Sequence, residues 1–170
     1  MNVNEVIANR GNALAGERHL HPNDTVNMSQ SSNDTFPTAL HIAAATAITQ
    51  DLLPAIDQLV ATLRQLEERS AGIVKCGRTH LQDAVPIAFS QEVSGWRGLL
   101  EDSREQLEAT LPGLYRLALG GTAVGTGLNA PEGFDTAVAA QVASLTGMPF
   151  VSAPNKFAAL SGKDAVAFAH

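Results

Sequence analysis

A chain of 170 residues, 45% of them hydrophobic, is long enough to bury a core and too apolar to be disordered by composition. Its formal charge of -6, with no basic stripe, argues against a nucleic-acid partner and leaves any anion to be held by local groups. Aromatic residues make up only 5% while alanine and leucine dominate the apolar set, which favours helices over a sandwich, and a single cysteine, Cys76, excludes an intrachain disulfide framework.

Residues 2–15 read as a short helix with Val3, Val6, Ile7 and Leu14 apolar, followed by a turn-rich stretch without period that reads as a loop. A long helix is predicted from there to about Glu68. Asp34 or Ser32 can cap it, Pro37 falls in the first turn where its missing N–H costs nothing, and Pro54 is expected to kink it. Leu40, Ala44, Ile48, Leu52, Ile56, Leu59 and Leu63 recur at helical spacing. The segment "GIVKCGRTHLQDAVPIAF" reads as a short extended segment or hairpin near 73–86 carrying a loop at 78–83, with Cys76 as a small packed side chain. A second long helix is predicted from about Pro86 to Ala118, with a further kink at Pro112. The glycine-rich "LGGTAVGTGLNAP" reads as a tight connector, and a third helix over roughly 131–146 is ended by Gly147. "PFVSAPNKF" reads as a loop, and a last helix begins near Asn155 and runs towards His170.

The fold class expected is therefore all-α, a bundle of long helices with one short hairpin. Two helices of roughly 32 residues would each be ~48 Å long, against a radius of gyration of ~15 Å for a compact chain of this size. Their apolar stripes therefore call for partners from other subunits or from further sequence. No apolar run approaches the ~20 residues of a membrane span. The N-terminus is too polar for a signal peptide, so no membrane partner and a cytoplasmic location are expected.

Three polar segments can carry chemistry. In "GRTHLQD", His80 can move protons near neutral pH, Thr79 offers a hydroxyl to an anion, and a flanking carboxylate such as Asp83 can orient the ring; an ordinary polar surface loop is the alternative. "SSND" at 31–34 is either a helix cap or a carboxylate site built from hydroxyls, an amide and helix-start N–H groups, and both readings can hold together. "RHLHPND" combines Arg18, which can pair with an anion, with two histidines and Asp24; their spacing is not that of a metal site. Lys156 and Lys163 read as solvated, and His41 and His170 carry no assigned role.

The segments "MNVNEVIANR", "HPNDTVNMSQSSNDTFPTALH", "GRTHLQDAVPIAFSQEVSGW", "LALGGTAVGTGLN" and "APNKF", in this order, closely resemble class II fumarase, the fumarate hydratase of the aspartase/fumarase superfamily. The resemblance covers essentially the whole chain. It implies a helical protein whose long helices form the core of a homotetramer, with active sites assembled from three different subunits. The implied reaction is reversible hydration of fumarate to L-malate without metal or organic cofactor. By the same resemblance Ser31, Ser32, Asn33 and Thr79 bind substrate, and His80 is the catalytic histidine that works with a bound water. Arg18, His21, Pro22, Asn23 and Asp24 match a second dicarboxylate site.

The departures are as informative. The family's catalytic serine lies in a loop reading Gly-Ser-Ser-x-Met-Pro-x-Lys-x-Asn, which is absent here, as are the glutamate that partners the histidine and the Ser-Gly-Thr segment. Ala158 stands where the family commonly has glutamate. The expectation is a single partial domain over 1–170, the central helical region of a longer protein, inactive or nearly so alone. The alternatives are aspartate ammonia-lyase, of the same superfamily, and a non-catalytic helical assembly module; His80, where the ammonia-lyase usually has glutamine, favours the hydratase.

Overall fold

The structure, a computed structural model, describes residues 2–161 and 167; the expectations for Lys163, for His170 and for the last helix beyond Ser161 fall outside them. The described residues divide into two compact units, one drawn from 2–43 and from 112–161 with 167, the other from 44–111. The class is helical, as expected, with two small two-stranded sheets.

The first unit opens with α1, Asn2–Ala15. The loop after it is pinned by Asn12, whose Oδ1 accepts from the His19 and Leu20 N–H groups at 2.9 and 2.7 Å and whose amide donates to the Leu20 carbonyl at 2.9 Å. Pro22–Val26 forms a single π-type turn, and α2 begins at Ser32. Ser31, rather than Ser32 or Asp34, is the cap. Its Oγ accepts from the Asn33 N–H at 3.2 Å, and Asp34 returns the bond by accepting from the Ser31 N–H at 2.8 Å. This is the reciprocal arrangement of a capping box. With the start fixed there, Pro37 is the sixth residue of α2 and lies past the first turn. It does cost one backbone bond, the one Asn33 C=O would have accepted, because only the first four N–H groups of a helix are free of that demand.

The inward side of α2 in this unit is polar. Asp34, Thr38 and His41 are buried at i, i+4 and i+7, and each is tied to the segment 116–122. Thr38 Oγ1 accepts from the Leu119 N–H at 2.9 Å, and His41 Nδ1 donates to the Arg116 carbonyl at 3.1 Å. Residues 116–117 form β3, Arg116–Leu117, which pairs in parallel with β4, Val151–Ser152. Neither strand is predicted by the sequence, because a two-residue strand has no period to detect. Tyr115 meets Phe150 edge-on, with centroids 5.4 Å apart, and Leu114, Leu117, Ala139, Met148 and Phe150 are buried. Helix α5, Phe134–Thr146, starts later than predicted and is closed by Gly147 in the left-handed region at φ 69°. Asn155 caps the short helix α6, Lys156–Ala159, by accepting from the Ala158 N–H.

In the second unit the long helix is interrupted where Pro54 requires it. A π-type turn at Ile48–Leu52 precedes α3, Leu53–Arg69, whose first turn holds Pro54. A proline cannot donate to the residue four before it and its ring crowds that carbonyl, so the turn before it widens. β1, Val74–Thr79, and β2, Gln82–Ala88, form an antiparallel hairpin. The predicted hairpin is present, but its loop is two residues, 80 and 81, rather than 78–83. Pro86 belongs to β2 opposite Cys76, so α4 runs Phe89–Leu114, shorter at both ends than expected. Cys76 is exposed, contrary to the packed position expected of it, because nothing covers this hairpin among the described residues. A β-carbon on Gly77 would lie 2.8 Å from the Val85 carbonyl at the bulge, so that position admits glycine only. α3 and α4 are laced by Arg97 to Glu67 at 2.9 Å, Arg64 to Glu101 at 3.2 Å and Arg104 to Asp57 at 2.6 Å.

The run Ser32–Arg69 contains an 18-residue window of mean hydropathy 1.2. By length and composition it resembles a membrane-crossing helix, a test that the apolar core helix of a globular domain also passes. The cause is the alanine content around Ala43–Ala47. Leu40, Leu52, Leu59, Trp96 and Leu99 remain exposed, in keeping with stripes that lack partners among the described residues.

Candidate active site

The serine segment sits at one wall of a cleft of about 340 Å³ in the first unit, lined by Ser29, Gln30 and Ser31 on one side and by Thr122–Val124, Thr126, Leu128 and Asn129 of the glycine-rich connector on the other. Ser32 is exposed at the first helical position, and neither its hydroxyl nor its N–H has a partner among the described residues. These are donors directed outward from a helix start, where the peptide dipoles favour an anion. Asn33 is less free: its amide donates to the Ala123 carbonyl at 2.8 Å, which binds the serine segment to the connector. Ser29 makes a second link, donating to the Asn129 carbonyl at 3.3 Å.

The connector is held from below by Lys156. The sequence reading has it solvated, but its Nζ donates to the Leu117 and Leu119 carbonyls at 3.0 and 2.8 Å and to Ser152 Oγ at 2.7 Å, with Asp135 3.6 Å away. Burial pushes the Lys156 ammonium below its ordinary range, with Asp135 opposing the shift. The hydrogen bond from Ser152 holds the Asp135 carboxyl below the usual range. No local signal marks Lys156, because the carbonyls it holds, of Leu117 and Leu119, lie 39 and 37 residues away in the chain.

Thr79 and His80 lie in the second unit, so the two parts of the predicted site are described separately. Thr79 ends β1 opposite Gln82. His80 and Leu81 both take left-handed backbone, at φ 50° and 61°, the geometry of a tight hairpin turn that favours Asn-Gly. A leucine there is strained, and it gains nothing from burial, being 96% exposed. The hairpin thus presents the His80 ring at an open tip. Asp83 is engaged by Arg78 across the strands at 3.0 Å and does not orient His80.

The other predicted anion site is an exposed turn. His21 Nδ1 stands 3.0 Å from the Asp24 carboxylate and 3.3 Å from the Asp24 N–H. The first contact needs Nδ1 protonated and the second needs it bare, so only one holds at a time. Pro22 opens the turn and Asn23 is exposed. Arg18 is exposed and forms no ion pair among the described residues, while the neighbouring His19 pairs with Glu17 at 2.5 Å.

Residues 1–170 match the family described as lyase. The chain belongs to this family. It is 56% identical over 172 residues to a fumarate hydratase class II of Pseudomonas syringae pv. tomato, covering 98% of this chain and 37% of that relative. The corresponding enzyme of Pseudomonas putida is 57% identical over 169 residues, covering 96% and 36%. Among solved structures, the class II fumarase of Schistosoma mansoni superposes with a TM-score of 0.91 at 38% identity, over 99% of this chain and 39% of that one. The chain therefore spans a little over a third of the length of these relatives.

Proposed function

We propose that the lyase to which these residues contribute is a fumarate hydratase, adding water across the double bond of fumarate to give L-malate. The observation that carries this reading is the 56–57% identity to relatives of that name over nearly the whole chain. The free hydroxyl and N–H of Ser32 at the start of α2, with the Ser31 hydroxyl beside them, are chemically suited to it. Removing the proton next to a carboxylate builds charge on that carboxylate as an aci-form, and hydroxyl and N–H donors fixed there bind it more tightly as the charge grows. Thr79 offers its hydroxyl as a hydrogen-bond donor to the substrate carboxylate, and His80, with a bound water, serves the oxygen end of the reaction. Asn33 acts less by donation than by fixing the serines through Ala123. Arg18 and the turn His21–Asp24 form a second, surface dicarboxylate site.

We further assign residues 1–170 to one central helical domain of a homotetramer in the cytoplasm, acting without cofactor. The exposed leucines and Trp96 on the long helices support the assembly, since stripes of this kind are covered by partner helices in bundles. The test is fumarate loss, followed by ultraviolet absorbance in ammonium-free buffer. A polypeptide that carries this chain together with the family's serine loop, histidine-partnering glutamate and Ser-Gly-Thr segment should convert fumarate to malate, and the 170 residues alone should not. Ammonium-dependent turnover would instead assign an ammonia-lyase, and turnover by the 170 residues alone would refute the need for the serine loop.

A further inference from the structure

Asp34 is among the most deeply buried side chains of the chain, with none of its surface exposed, and it faces no cation within ion-pair distance among the described residues. A carboxylate in that position must have its oxygens satisfied by other donors. They are. Oδ1 accepts from the Ser31 N–H at 2.8 Å, and Oδ2 accepts from the Gly120 and Thr122 N–H groups at 3.1 and 2.8 Å. A helix cap needs only the first of these bonds. The other two join the serine segment to a connector 86 and 88 residues away in the chain.

What the joint holds is a strained cleft. Among the described residues, five other than glycine have left-handed backbone: Ser29, His80, Leu81, Thr122 and Asn129. Ser29, Thr122 and Asn129 all line the cleft beside Ser31. Thr122 is β-branched, at φ 55°, and nearly buried, so its conformation is costly and persists only if its surroundings impose it. The bond from its own N–H to Asp34 is one such restraint.

We infer that Asp34 is a positioning residue for carboxylate binding: its two oxygens clamp the Ser31–Asn33 segment to the connector, so that the donors of the cleft are set before substrate arrives. This rests on the proposed hydratase reading for its ligand but not for its geometry. Preset donors avoid the ordering that a loose pair of loops would undergo on binding.

The test compares wild type with Asp34→Asn in the complete enzyme, by steady-state kinetics for L-malate and by amide hydrogen exchange. In the variant one oxygen is replaced by an amide nitrogen that cannot accept, so either the Ser31 N–H or the Gly120 and Thr122 N–H pair should lose protection. KM should rise about tenfold or more, with a smaller change in kcat. A merely structural role would lower the thermal midpoint and the amount of active enzyme, and so the apparent kcat, without moving KM. Unchanged KM, or wild-type protection at Ser31, Gly120 and Thr122 alike, overturns the inference. If Asp34→Asn does not fold, Asp34→Ser keeps an acceptor for the near Ser31 N–H and releases the two distant ones. A folded Asp34→Ser enzyme with wild-type KM overturns the inference as well. Absence of hydratase activity in the wild-type enzyme would refute the proposed function instead, and the clamp would then be decided by the exchange result alone.

Discussion

Replacing Lys156 by methionine keeps most of the side chain's bulk and removes three donated hydrogen bonds, to the Leu117 and Leu119 carbonyls and to Ser152. At about 1 kcal/mol net for each bond the loss is ~3 kcal/mol, and release from burying an ammonium returns part of it, leaving ~2 kcal/mol. With a urea slope of about 2 kcal/mol/M, the unfolding midpoint should fall by ~1 M. Tyr115 is the chain's one tyrosine and packs on Phe150 in the same unit, so its near-ultraviolet circular dichroism follows the relevant part. The pH dependence adds a sign. Because burial lowers the Lys156 pKa in the folded state, the unfolded chain binds more protons between that lowered value and the ordinary lysine value. Stability of the wild type should therefore rise with pH through that window, relative to Lys156→Met. An unchanged urea midpoint, or an alkaline limb identical in the two proteins, would refute the strut role of Lys156.

Three further outcomes are expected. Gly120→Ala combines φ 94° with a β-carbon 2.3 Å from Asp135 Cβ; it should cost ~3 kcal/mol or more, seen as a large fall in thermal midpoint. Leu81→Asn puts a residue that tolerates left-handed backbone at an exposed strained position; it should stabilise by about 1 kcal/mol and raise the midpoint by ~2–4 °C. Ser152→Ala removes the bond that lowers the Asp135 pKa. That bond stabilises the fold fully above the ordinary carboxyl range and is lost as pH falls through the lowered value. Acid unfolding curves below about pH 5 should therefore be shallower in the variant than in wild type.

What could be read in advance followed from local chemistry. α1, the stop at Gly147, the break before Pro54, the hairpin and the cap at Asn155 each depend on a few neighbouring residues and were legible. The misses depended on distant partners. Lys156 looks like any surface lysine until Leu117 and Leu119 are brought over it. Cys76 looks packable until its strand proves to be uncovered. Pro37 lies past the first turn because the cap is Ser31 rather than Ser32 or Asp34, which moves the whole helix start. For the candidate site, the serines and the Thr79–His80 pair were visible as polar clusters. The opposing wall, Thr122–Asn129, was legible only as a tight turn, since nothing in a run of small residues says what it faces.

Asp34, Thr38 and His41 fall on one helical face inside an alanine-rich run, at the spacing normally reserved for a buried apolar stripe. Solvent is the usual destination of such a face. Here each side chain instead meets a backbone group of the segment 116–122, so the face is buried because it is polar and has polar partners. A backbone segment rich in glycine has few side chains with which to make an apolar contact, and its N–H and C=O groups must still be satisfied. A polar stripe on the neighbouring helix answers both needs, and it explains how strained residues such as Thr122 can be held without a bulky core around them. His41 carries the same logic one step further: with Nδ1 spent on Arg116, its Nε2 is buried without a partner among the described residues. The stripe is therefore complete at its Asp34 end, beside the candidate carboxylate cleft, and incomplete at its His41 end.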